Sequence, residues 1–179
     1  MNKGNSALKM ILTLVVIAAV IALAMAFTNS VTKGIIEENE QKAINESLLL
    51  VLPGGENFEE IEYDPATLPQ SVSSVYREVG GGYVFRLNAT GYSSGMVILC
   101  GISSDGVVSG SMCLSSSETL GYEKTYGDAV KGVNLSTVDG VDAISGATKT
   151  TEGYRGAVKD ALTAFSVLKE NEQKGGAAS

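Results

Sequence analysis

The chain has 179 residues, with 13 basic against 20 acidic side chains and no histidine. A net charge of −7 suits nucleic acid poorly, because that binding depends on Lys and Arg to neutralise phosphates. Without imidazole, Ser-His-Asp and Cys-His catalysis are excluded and the commonest zinc ligand is missing, so neither a catalytic set nor a metal site is expected.

The length fits one ordinary domain with an appendage. Met10 to Thr32 contain no charged side chain, and the run from Met10 to Phe27 is almost wholly apolar. At ~1.5 Å per residue, about twenty helical residues cross a ~30 Å hydrocarbon layer. Lys3 and Lys9 precede the run, and Glu37, Glu38 and Glu40 follow it. That bias places the N-terminus in the cytoplasm and the bulk of the chain outside. A cleaved signal peptide is the rival reading. The run exceeds a usual signal core of about 7–15 residues, and Thr28-Asn29-Ser30 is no clean cleavage site, so an uncleaved anchor is favoured.

Beyond the anchor, residues 34–50 have apolar positions at roughly helical spacing, and Pro53-Gly54-Gly55 ends the helix near Leu52. Residues 56–70 read as irregular chain. Strand signals follow at Val75–Val79 and, after a Gly80-Gly81-Gly82 turn, at Tyr83, Phe85 and Leu87. Met96–Ile102 and Val107–Leu114 form a hairpin around Ser103-Ser104-Asp105-Gly106. These strands predict an antiparallel sheet and an α+β class. Residues 115–148 are rich in Gly and Ser and show no periodicity, and a loop of that length is often functional. A helix over about 150–171 places Tyr154, Ala157, Val158, Ala161, Leu162, Phe165 and Leu168 on one stripe. Residues 173–179 are expected to form a disordered tail.

The two cysteines are Cys100 and Cys113. An Asp105-Gly106 turn sets Cys100 opposite Ser111 and Cys113 opposite Ile98. The thiols are then diagonal neighbours about 7–8 Å apart, beyond disulfide reach. Two free, buried thiols are expected.

The stretch Asp142-Ala143-Ile144-Ser145-Gly146-Ala147-Thr148 lies just before the last helix. Small residues feeding a helix N-terminus leave free backbone N–H groups at the positive end of the dipole, which favours phosphate. Ser145 and Thr148 offer hydroxyls as caps or attachment points. From these residues alone, a capped helix start is the plainer reading.

Asp-x-x-Ser-Gly-Ala-Thr resembles the flavinylation motif of the FMN-binding domain family, which includes RnfG and NqrC subunits. The similarity extends to the anchor, Val51-Leu52-Pro53-Gly54, Gly82-Tyr83-Val84-Phe85 and Gly91-Tyr92. A second family motif, His-x-Glu-Thr-Pro-Gly-Leu-Gly, reads Ser116-Ser117-Glu118-Thr119-Leu120-Gly121-Tyr122-Glu123 here. Glu118, Thr119 and Gly121 match, whereas the His, the Pro, the Leu and the last Gly do not. The resemblance implies FMN joined to Thr148 through a phosphoester, with Asp142, Ser145, Gly146 and Ala147 as recognition and phosphate-loop positions. It also implies that Glu118, Thr119, Leu120 and Gly121 lie against the flavin.

The maturing partner implied is a flavin transferase that takes the FMN moiety from FAD. The working partners are other membrane subunits of an Rnf-type ion-translocating ferredoxin:NAD+ oxidoreductase, in which this chain relays electrons and is no catalyst alone. The chain size favours RnfG over NqrC. The implied organisation is residues 1–32 as cytoplasmic N-terminus and transmembrane anchor in the cell membrane, 33–172 as an extracytoplasmic antiparallel-sheet FMN-binding domain with flanking helices, and 173–179 as the tail. A stand-alone membrane-anchored flavoprotein and a non-redox anchored scaffold are the alternatives.

Overall fold

The computed structural model describes residues 46–176, together with Leu12, Leu14, Val15 and Ala18, which are helical. Apart from those four positions, the expected membrane span and the expected helix before residue 46 lie outside the described residues. Among the described residues no helix is long and apolar enough to cross a membrane. The chain divides into two units, Met1–Ile44 and Asn45–Ser179. The second unit is an α+β domain.

Residues 46–51 are helical (α1), and the helix stops where the sequence demands, with Gly54 at φ +85° just after Pro53. Five strands follow: β1 (Glu59–Glu60), β2 (Val72–Arg77), β3 (Tyr83–Thr90), β4 (Ser94–Ile102) and β5 (Val108–Ser115). Their order in the sheet is their order in the chain, and every pair is antiparallel. Gly81 makes the expected tight turn between β2 and β3 at φ +87°. β2 begins three residues before the expected Val75 and ends at Arg77, which leaves Val79 exposed in the turn. β1 lies within the stretch expected to be irregular, and two residues are too few to show alternation.

The β4–β5 register is the one the turn predicts. Cys100 pairs with Ser111 and Ile98 with Cys113. A register shift between Gly101 and Ile102 then leads into a loop in which Gly106 takes φ +78°. Both thiols are free. Cys100 is fully buried, which pushes its pKa up to about 12, whereas Cys113 is only half-buried and departs from the expectation.

The long helix, α2 (Thr148–Gly176), starts two residues before its expected position and runs past the expected end at residue 171. Residues 173–176, expected in the tail, thus continue the helix, since no glycine or proline lies between Gly156 and Gly175. The predicted stripe is real: Tyr154, Val158, Ala161, Leu162 and Phe165 are buried against the face carrying Tyr83, Phe85, Leu87 and Ile98. Each large apolar side chain so buried contributes roughly 1.5–3 kcal/mol. Tyr83 packs edge-on against Phe165 at 5.8 Å, and Tyr126 against Tyr154 at 5.6 Å.

The other face of the sheet has a row running Tyr76, Val84, Gly101, Gly110 across four strands. The Val51 carbonyl lies against both glycines, where a Cβ on either would collide with it. The end of α1 is thus seated on the sheet backbone itself. Between β5 and α2 the chain makes three short 3-10 turns, Tyr122–Lys124, Tyr126–Asp128 and Val138–Gly140. Such short pieces leave no repeat for the sequence to show.

α2 is held near both ends. Near its start, a Cβ on Gly153 would collide with the Thr90 carbonyl, and one on Gly91 would lie 2.8 Å from Thr150 Cα. Helix and β3–β4 turn therefore touch backbone to backbone. Near its end, Tyr83 Oη donates to Glu172 Oε1 at 2.6 Å, and Arg77 approaches the same oxygen at 3.1 Å. The Tyr83 bond, together with Lys169 and Arg77, holds the Glu172 carboxyl below the ordinary carboxylate range.

Both anchors can be tested by substitution. Gly153→Ala costs about 1–3 kcal/mol through overpacking, whereas Gly156→Ala, with open space around it, stabilises by up to about 1 kcal/mol. Urea unfolding of the two variants checks this contrast within a single helix. A carboxyl with a depressed folded-state pKa stabilises above its unfolded value, about 4.3 for Glu, and loses that contribution as pH falls through the folded value. Melting temperatures measured between pH 6 and pH 3 should therefore fall less steeply in Glu172→Gln than in the parent.

Candidate functional site

The first turn of α2 is built on a tight turn. Ala147 N donates to the Ile144 carbonyl at 2.9 Å, and Gly146, third in the turn, takes φ +86°. A Cβ there would meet nothing within 4 Å, so the backbone conformation requires glycine rather than the space. Thr151, fully buried, clamps the turn: its Oγ1 accepts from Ile144 N at 3.2 Å and bonds the Ala147 carbonyl at 3.1 Å. Arg155 Nη1 donates to the Val141 carbonyl at 2.6 Å, and Tyr126 Oη donates to the Asp142 carbonyl at 3.0 Å. The segment entering α2 is therefore fixed from several sides.

At this end the amides of Thr148, Lys149 and Thr150 have no partner inside the helix and lie at the positive end of its dipole. The loop after β5 arrives from the other side and is locked by one side chain. Glu118 Oε1 accepts from Ser93 N at 2.9 Å, and Glu118 Oε2 accepts from Thr150 Oγ1 at 2.5 Å. This carboxyl bridges the β3–β4 turn and the helix start.

Between these segments lies a cleft of about 520 Å³. Gly146, Ala147, Thr148, Lys149 and Thr150 form its helix side, and Glu118, Thr119, Leu120, Tyr122 and Glu123 form its loop side, with Tyr92 at the β3–β4 turn. Tyr92, Leu120 and Tyr122 are exposed, at 74%, 64% and 39%, and give the cleft an apolar rim. Such a volume with convergent polar groups suits a small organic ligand.

The threonines of the first turn are not equivalent. Thr150 is buried on Glu118 and Thr151 on the turn. Thr148 is exposed in the cleft, and its hydroxyl makes no hydrogen bond among the described residues. Opposite it, Glu123 is 1% exposed; Ser116 Oγ donates to its Oε1 at 2.6 Å, and its Oε2 is buried without a partner among the described residues. The adjoining hollow holds Cys113, whose thiol is pushed up first by burial and then by Glu123.

A family model described as the FMN-binding domain matches residues 91–163, the span that supplies every residue named above as lining the cleft, and a model of the RnfG N-terminal region matches residues 1–51. In the Na(+)-translocating ferredoxin:NAD(+) oxidoreductase complex of Acetobacterium woodii, the component designated G is 30% identical, over 89% of this chain and 92% of its own. The chain belongs to the RnfG family. The corresponding G component of the ion-translocating oxidoreductase complex of Methanosarcina acetivorans is 31% identical, over 90% of this chain and 94% of its own.

The two motifs quoted for the cofactor site are about thirty residues apart in sequence, and the fold sets parts of both on one cleft. Thr148, Gly146, Ala147, Glu118, Thr119 and Leu120 line it. Gly121 lines the adjoining hollow instead, at φ +73°. Asp142 and Ser145 are exposed and lie off the cleft. Tyr92, Tyr122, Glu123, Lys149 and Thr150 line it without having been singled out. Tyr92 stands in a quoted stretch, and Tyr122 and Glu123 stand in the second motif as departures from it, but nothing in their spacing shows that they converge. The residues present fit FMN. Free amides and Lys149 suit a phosphate, the exposed apolar rim suits a flat ring, and Glu123 Oε2 is a buried polar atom still lacking a partner.

The division of labour among the threonines has a measurable consequence. Thr151→Val leaves the Ile144 amide unpaired and costs about 1–3 kcal/mol. Thr148→Val, at an exposed hydroxyl, shifts the stability of the unmodified chain by less than about 0.5 kcal/mol. Urea titration of both variants distinguishes the structural hydroxyl from the free one.

Proposed function

We propose that this chain is the electron-transfer subunit of an Rnf-type ion-translocating oxidoreductase and holds FMN through a phosphoester on Thr148. One observation carries the reading: of the three threonines in the first turn of α2, only Thr148 offers an exposed, unbonded hydroxyl, and it lies in the cleft. The relatives are named as subunits of ferredoxin:NAD(+) and ion-translocating oxidoreductase complexes, which supports placing this chain among other membrane subunits of such an assembly.

An alcohol oxygen is a weak nucleophile at neutral pH, so attachment is assigned to a flavin transferase using FAD and Mg²⁺. The bond formed joins Thr148 Oγ1 to the FMN phosphorus. The bond broken is the pyrophosphate linkage of FAD, with AMP leaving and the hydroxyl proton passing to the transferase. Exposure of Thr148 leaves it open to that enzyme. Gly146 lets the backbone turn sharply beside the phosphate, and the amides of Thr148, Lys149 and Thr150 stabilise the charge that remains.

Bound there, FMN supplies electron transfer in single-electron steps. Tyr92, Leu120 and Tyr122 offer the ring an apolar rim, and Glu118 keeps the two walls of the cleft together. The absence of an ester to the ring leaves its chemistry free for relay. The uncharged run of residues 10–32 serves as the single membrane span, with the flavin domain on the far side from the cytoplasm. Asp142 and Ser145, exposed next to the turn, serve recognition by the transferase.

Co-expression with an active flavin transferase tests the assignment. After denaturation in SDS, the parent band should fluoresce under ultraviolet light and the Thr148→Val band should be dark. A dark parent band, with the transferase labelling a control substrate, overturns the reading in favour of a tethered scaffold.

A further inference from the structure

Glu123 is the polar feature of the cleft that the attachment chemistry does not use. The residue lines both the cleft and the adjoining hollow, yet it is 1% exposed. Ser116 Oγ donates to Oε1 at 2.6 Å, and Oε2 is buried with no partner among the described residues. Removing a carboxyl oxygen from water without replacing its hydrogen bonds is costly, so such a group needs a reason. It is not there to hold the loop, because Glu118 does that with both oxygens engaged. Of the other two charged side chains on the cleft, Glu118 is spent on that bridge, and Lys149 is exposed and open to solvent screening.

Ser116 and Glu123 also stand at the first and last positions of the second motif, where the resemblance has His and Gly. The fold brings those two departures into one hydrogen bond. A polar pair thus replaces both motif ends together, where the adjoining hollow meets the cleft.

Resting on the flavin assignment above, we infer that Glu123, oriented by Ser116, is a tuning residue whose buried carboxyl sets the reduction potential of the cofactor held in this cleft. A negative charge in a poorly solvated wall opposes the arrival of electrons nearby, and burial spares it from screening by salt. Ser116 fixes the rotamer and shares the charge on one oxygen, which leaves the other to act on the cleft.

The test uses the full chain, flavinylated by its transferase, with spectroelectrochemical titration of the bound flavin. Glu123→Gln should move the midpoint potential upward, by an amount that persists when salt is raised from low to molar concentration. Ser116→Ala, which leaves the charge unshared, should move it downward. A flavinylated Glu123→Gln protein with an unchanged or lowered midpoint overturns the inference, and a fall in its melting temperature alone shows a merely structural role. If Glu123→Gln does not fold, Ser116→Ala decides, and an unchanged midpoint there overturns it too. A parent chain that takes up no flavin instead overturns the assignment of Thr148, and this inference with it.

Discussion

The fold depends on one close approach, that of the first turns of α2 to the β3–β4 turn. Gly153 lies against the Thr90 carbonyl and Gly91 against Thr150 Cα, so no side chain separates the two backbones. That contact brings the helix N-terminus to the sheet corner at which the loop after β5 returns. Glu118 can then reach both Ser93 and Thr150 with one carboxyl. Without the glycine contact, that bridge would have to span a gap, and the two walls of the cleft would separate.

The same economy of backbone contact recurs on the other face. Val51 sets its carbonyl into the slot left by Gly101 and Gly110, two residues paired across β4 and β5. The end of α1 is thereby tied to the middle of the sheet, while α2 covers the opposite face. Both helices meet the sheet with buried apolar side chains, but their positions along it are set by glycines. Aromatic packing of Tyr83 on Phe165 and of Tyr126 on Tyr154 fills what remains.

At the site, polar groups divide into those that complete the protein and those left over. Thr150, Thr151, Glu118, Arg155 and Tyr126 are engaged in holding segments together. Among the described residues, the Thr148 hydroxyl, the three first amides of α2 and Glu123 Oε2 are not. The residues that carry the unused groups all line one cleft. That sorting, rather than any one motif residue, is what supports the proposal that this cleft holds a phosphate-bearing cofactor.

Sequence alone determined the antiparallel strands, the β4–β5 register with its two free thiols, the buried stripe of α2 and the Ser-Gly-Ala-Thr entry to that helix. Each of these is a local matter of side-chain period, turn residues or helix ends, and such signals lie within a few adjacent residues. Tertiary structure alone decided that Glu118 and Thr150 share a bond, that Glu123 is buried beside Ser116, and that Asp142 and Ser145 stand off the cleft while Tyr92 and Tyr122 line it. The connection after β5 runs through brief 3-10 turns that leave no periodic trace. Which of its residues turn inward is set by where the glycine contact delivers α2, and no pattern along the chain encodes that meeting.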